Sequence, residues 1–159
     1  MTLLSNVKSK VVLFGGDLSW ANDYIEGISL LAKENKEIEI YFPITKFASM
    51  SKERRKEFDD RITSLRQVGA KVFSIPKDYG LRCIMVDPDF SDSNKHMQVM
   101  ITERLESDLK NKNRNKYITQ SFAYDIEKRG HDNDRNICMS LKIVYNGIKK
   151  EEYYGEKIK

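Results

Sequence analysis

The stretch KVVLFGGDLSWANDYIEGISLLAKENKEIEIYF, residues 10–42, decides the fold class. It opens on an apolar run, Lys10–Phe14, stopped by Gly15-Gly16, which reads as a buried strand closed by a turn. Trp20, Tyr24, Ile28 and Leu31 then recur at helical spacing, and Ile25 and Leu30 widen the stripe. A helix is therefore expected from about Trp20 to Asn35, with Asp17 or Ser19 offering a side-chain oxygen to its first N–H groups. Ile38, Ile40 and Phe42 alternate with Glu39 and Tyr41 as far as Pro43, the period of a second strand. Strand, helix and strand in this order favour parallel pairing through a right-handed crossover.

The pattern repeats downstream. Ser51 opens a second helix whose apolar positions are Phe58, Ile62, Leu65 and Val68, and Gly69 stops it. Strands are expected at Ala70–Ile75, Leu81–Asp87 and Met97–Thr102, the later ones close enough in sequence to pair antiparallel. Residues 106–116 lack an apolar stripe and read as a loop or solvated helix end. Tyr117–Lys128 suits a helix, Ile137–Tyr145 alternates, and the charged tail is expected to fray. The sum is one α/β domain spanning 1–159, with a mixed, largely parallel sheet flanked by helices. Its core would occupy about residues 8–146, followed by the tail 147–159.

Composition supports one globular domain. Hydrophobic residues make up 40% and charged residues 33% of 159, which excludes a collagen-like chain and wholesale disorder. The longest apolar runs, such as Val11–Phe14, fall far short of the ~20 residues of a membrane helix. Lys and Arg number 28 against 24 Asp and Glu, and the net charge of +4 permits a nucleic-acid partner without requiring one. The start, MTLLSNVKSK, lacks the apolar core of a secretory signal. With Cys83 and Cys138 as packed, reduced thiols, a cytoplasmic location is expected.

Four groups of residues invite a chemical reading. Gly15, Gly16 and Asp17 lie between a strand and a helix, where open α/β sheets bind ligands, but their spacing matches neither phosphate-loop fingerprint. Asp87, Asp89 and Asp92 form an acidic loop that lacks the glycine and terminal glutamate of a calcium loop, so it reads as a solvated turn. His96 and His131, the two histidines, show no zinc spacing and no nucleophile motif. Neither a metal site nor a cofactor is expected. Lys110, Lys112, Arg114 and Lys116 form a basic stretch able to contact phosphates, whereas the charges on 52–61 alternate in sign like an ordinary solvated helix face.

The segment Asp78–Asp87, DYGLRCIMVD, resembles the core motif of the phospholipase D superfamily, His-x-Lys-x₄-Asp. In that register Gly80 takes the histidine position, Arg82 the lysine position and Asp87 the aspartate position. The preceding order of helices and strands is similar to that family's, as is the GAKVF strand just upstream. A following strand at Met97–Thr102 and a terminal helix at Tyr117–Lys128 would complete the unit, over about residues 8–130.

The resemblance implies a catalytically inactive domain, because glycine supplies no nucleophile. Similar inactive domains in some prokaryotic transcriptional regulators sense small ligands and dimerise. The expectation is a non-catalytic regulatory module that forms a homodimer and binds an anionic small molecule or phosphate group. Arg82 would grip the anion through its guanidinium fork, Asp87 would orient a partner, and Gly15, Gly16 and Asp17 would line the site. In an extended strand Arg82 shares a face with Gly80, and Asp87 points to the other face. Two other readings compete: a phosphodiesterase or nuclease working through His96 or the acidic loop, and a nucleic-acid-binding accessory domain using Lys110–Lys116.

Overall fold

A computed structural model of the chain describes residues 2–89, 96–104, 119–127 and 132–155. Among them, seven strands form one sheet: β1 (Lys10–Phe14), β2 (Glu37–Pro43), β3 (Lys71–Ile75), β4 (Cys83–Val86), β5 (Gln98–Arg104), β6 (Thr119–Asp125) and β7 (Glu151–Glu152). Their order across the sheet is β6-β5-β4-β1-β2-β3-β7. The helices are α1 (Thr2–Ser5), α2 (Ala21–Lys33), α3 (Thr45–Ala48), α4 (Lys52–Gln67) and α5 (Asp132–Gly147).

The opening stretch folds as its periodicity demands. β1 and β2 pair in parallel across α2, and β2 and β3 pair in parallel across α4. Ser51 caps α4, its Oγ accepting from the Arg54 N–H at 3.3 Å, and Gly69 ends the helix with a φ of 105°. Asp17 does not cap α2. Its carboxylate accepts from the Ser19 N–H at 3.1 Å, an Asx turn ahead of the helix, and no side chain caps α2 at Trp20.

Parallel pairing stops there, so the sheet is mixed but not largely parallel. β4, β5 and β6 join β1 in an antiparallel series, and β7 adds antiparallel to β3. β4 runs against β1 because its chain enters from the end where β3 leaves, with no helix to carry it back to the other end.

Two segments near the end have the opposite structure from their local pattern. Thr119–Asp125, expected in a helix, is strand β6, paired with β5 from Thr119↔Arg104 to Asp125↔Gln98. A ladder of seven paired positions with β5 outweighs a loose helical spacing. Ile137–Tyr145, read as alternating, lies in α5, the terminal helix. Its apolar residues fit both periods, and the sheet selects the helical one by burying Cys138, Leu141 and Tyr145. Within the tail, β7 pairs with β3. The Tyr153 N–H bonds the Val72 carbonyl at 2.8 Å, and its ring meets Phe42 edge-on at 5.1 Å.

Two cores follow from strand alternation. Val11, Leu13, Ile38, Ile40, Phe42, Val72 and Ile84 face α2 and α4. Val12, Phe14, Tyr41, Met85, Met97 and Val99 face α5. Cys83 and Cys138 are free thiols buried in the second core, where burial pushes both thiols up to about 12. Among the described residues no helix is long and apolar enough to cross a membrane.

Candidate functional site

The loops after β1, β2 and β3 leave the sheet at one end. The β3–β4 connection, residues 76–82, begins at β3 and ends beside β1, so it crosses the carboxyl ends of all three parallel strands. Three sequence-distant segments meet there. Extending Gly16 by a Cβ would bring it 3.4 Å from a guanidinium nitrogen of Arg82 and 3.8 Å from the Lys46 ammonium. Arg82 comes from the crossing loop and Lys46 from α3, after β2.

Beneath these groups lies a cleft of about 240 Å³, lined by Gly15, Gly16, Asp17, Arg82 and Thr102 on its polar side. Leu13, Ile84, Met100, Trp20 and Tyr24 supply apolar walls. Gly15 is required here, because a Cβ on it would overlap the Trp20 indole. The indole meets Tyr24 edge-on at 5.7 Å. Leu18, between the glycines and Trp20, is fully buried with a φ of 58°, so the loop holds a strained backbone beside the cleft.

Asp17 puts a carboxylate at the mouth, but it does not stand alone. Arg54 lies 4.0 Å away, and the Arg61 guanidinium donates to the Asp17 carbonyl at 3.3 Å. Burial raises the carboxyl's proton affinity, yet hydrogen bonds from Ser19 and the Arg61 charge outweigh it and hold Asp17 below its ordinary value. Lys46 in turn lies 3.6 Å from Asp78. Arg61 also faces Glu57 at 3.8 Å, so the cations around the mouth are interleaved with carboxylates.

The structure separates two residues that the motif register would join. Arg82 stands at the cleft, just before β4, while Asp87 follows β4 at the opposite end of the sheet, roughly 17 Å away by strand rise. Asp87 adopts a φ of 51° and turns its carboxylate back on the chain entering β1. It accepts from the backbone N–H groups of Lys8, Ser9 and Lys10 at 2.9, 2.8 and 3.0 Å, and from the Ser9 hydroxyl at 3.0 Å. Burial acts to raise its pKa, and these donors more than offset that, leaving the carboxyl below its usual range.

The expected strand Leu81–Asp87 is shorter, Cys83–Val86, so neither Gly80 nor Arg82 lies in it. Gly80 sits in an exposed turn with a φ of 64°, its N–H bonded to Asp78 at 2.8 Å. A Cβ there would meet nothing within 4 Å. His96 belongs to the Asp87 end, bonding the Asn6 carbonyl at 3.0 Å and lying 3.6 Å from Asp87. Asp89 reaches Lys10 at 2.6 Å. Among the described residues no group of three His, Cys, Asp or Glu gathers as a metal would need. Asp92, His131, Lys110, Lys112, Arg114 and Lys116 lie outside the described residues.

No family model and no curated protein matches the chain.

Sequence reasoning missed two features. Lys46 follows the second strand, and the rule that ligands gather at carboxyl ends of parallel strands would have pointed to it. Glu39, read only as an alternating position of the second strand, is buried at 4% exposure under α5. Its carboxylate accepts from Tyr41 at 2.6 Å and Tyr145 at 2.9 Å, with Lys10 at 3.4 Å and Lys150 at 3.6 Å. Burial opposes its charge, but the two phenols and two ammonium groups win, and Glu39 stays below its ordinary pKa. This network joins α5 and the chain after it to the sheet. It is closed over by its own partners and is a structural clamp.

Proposed function

We propose that the chain is a non-catalytic ligand-binding or regulatory module that takes the anionic group of a small molecule at the Gly15–Arg82 cleft. The observation that carries this reading is that Arg82 and the Gly15-Gly16 turn line one cleft with apolar walls, with the Lys46 ammonium close beside Gly16. Arginine binds carboxylate and phosphate through paired N–H donors, and lysine adds a point charge. A few polar groups over an apolar pocket is the usual make-up of a small-molecule site.

The phospholipase D-like reading supplies a frame for the absence of catalysis. At the position of the family's nucleophile stands Gly80, and His96 lies at the far end of β4 with the Asp87 clamp. Asp87, proposed from the motif as a site residue, is better read as the lock that fixes the entry to β1. Pairing of two copies, as in the regulators that the motif resembles, belongs to the same proposal.

A thermal-shift series with inorganic phosphate, sulfate, acetate and benzoate tests the binding, with wild type against Arg82→Gln. Stabilisation by at least one anion that is lost in the variant is expected. No stabilisation by any of them would overturn the reading. Sedimentation with and without the active anion reports whether two copies pair. Hydrolysis of bis(p-nitrophenyl) phosphate that disappears in His96→Ala would favour a phosphodiesterase instead.

A further inference from the structure

The cleft joins a little charge to a larger apolar surface. Arg82 and Asp17 line it and Lys46 lies close beside Gly16, while Leu13, Ile84, Met100, Trp20 and Tyr24 supply its apolar wall. A ligand carrying hydroxyls around its body would lose their hydration against that wall without new partners, at a cost for each unmet group. A free phosphate would meet the charges and leave the apolar wall unused. The cleft's volume of about 240 Å³ falls below the roughly 300–1,000 Å³ of pockets that enclose drug-sized ligands. It suits a body of one ring or a short chain and is too small to enclose a nucleotide.

Resting on the anion-binding reading above, we propose that the ligand class is a small carboxylate with an apolar body. The carboxylate lies toward Arg82 and Lys46, and the body lies against Trp20, Tyr24 and Met100. Two structural points support an apolar body beyond the lining itself. Gly15 lets the Trp20 indole close against the turn, where any side chain would displace it. The strained Leu18 backbone holds the loop that presents that indole.

The experiment uses the chain's single tryptophan, Trp20, as its reporter. The probes are cyclohexanecarboxylate, its neutral counterpart cyclohexylmethanol, and inorganic phosphate, with calorimetry as a second readout. Cyclohexanecarboxylate is expected to change the Trp20 emission saturably and to bind at least tenfold more tightly than either of the others. Arg82→Gln is expected to weaken the carboxylate at least tenfold. Met100→Ser, which keeps every charge, is expected to weaken it several-fold and leave phosphate unchanged. Circular dichroism establishes that each variant is folded, and a pair of folded variants with wild-type carboxylate affinity would overturn the proposal. Phosphate binding at Arg82 with no carboxylate response would overturn it while leaving the anion-binding reading intact. No binding of any probe would defeat both.

Discussion

Gly15 lies against the indole of Trp20, closer than any side chain at position 15 would allow. The glycine also continues the sheet, its N–H bonded to the Tyr41 carbonyl at 3.0 Å. The residue is thus fixed by β2 on one side and by the indole on the other, and neither can yield without disturbing the cleft. Gly15→Ala is expected to displace Trp20 and to cost about 1–3 kcal/mol, the usual range for overpacking. A shifted Trp20 emission maximum together with a lowered urea midpoint checks it.

Asp87 gives the fold an acid-sensitive joint. Its folded pKa lies below the ordinary value near 3.9. The stability it contributes is therefore complete above that value and is lost as pH falls through the folded pKa. Asp87→Asn is expected to flatten part of the stability loss below about pH 4. A remaining slope comes from Glu39 and Asp17, which are shifted in the same direction. Asp87→Ala leaves three backbone donors without their acceptor and is expected to cost on the order of 3 kcal/mol at neutral pH. Urea denaturation across the pH range measures both.

Glu39 is the joint on the other face. Removing it leaves Lys10 and Lys150 beside two phenols, although Asp89 and Glu37 still face Lys10 at 2.6 and 3.4 Å. Glu39→Ala is expected to cost about 3 kcal/mol, the low end for breaking a buried ion pair. It should also raise amide exchange in α5 and around Lys150 more than in α2. Equal loss of protection on both faces would contradict the assignment of this network as the clamp for α5.

Gly80→His is expected to remain folded and to gain no phosphodiesterase activity. Its backbone φ of 64° disfavours a side chain, costing about 1 kcal/mol or more. The turn offers an imidazole no neighbour within 4 Å of its Cβ. Assay with bis(p-nitrophenyl) phosphate decides it, and turnover above wild type would contradict the placement of position 80 outside a catalytic constellation.

In residues 10–75 every element but the short α3 was legible, because each has one dominant period and a clear stop. The helical stripe of Trp20–Leu31, the alternation of Ile38–Phe42 and the Gly69 stop all point the same way locally and globally. Thr119–Asp125 and Ile137–Tyr145 were not, because the second fits two periods and the first is decided by its pairing with β5, outside the segment's own pattern. The cleft was half legible. Gly15-Gly16 and Arg82 carry local signals and Trp20 follows the glycines directly, while Met100, and Lys46 beside Gly16, come near only through the strand order β5-β4-β1-β2. The distance between Arg82 and Asp87 was not legible, because a motif register counts residues and does not show that β4 carries them to opposite ends of the sheet.

The most direct test is amide chemical-shift mapping during titration with cyclohexanecarboxylate. Saturable shifts centred on Gly15, Gly16, Trp20, Arg82 and Thr102, with Lys8–Lys10 and Asp87 unmoved, are what the cleft predicts. Shifts centred on the Asp87–His96 end, or none at millimolar ligand, would contradict it.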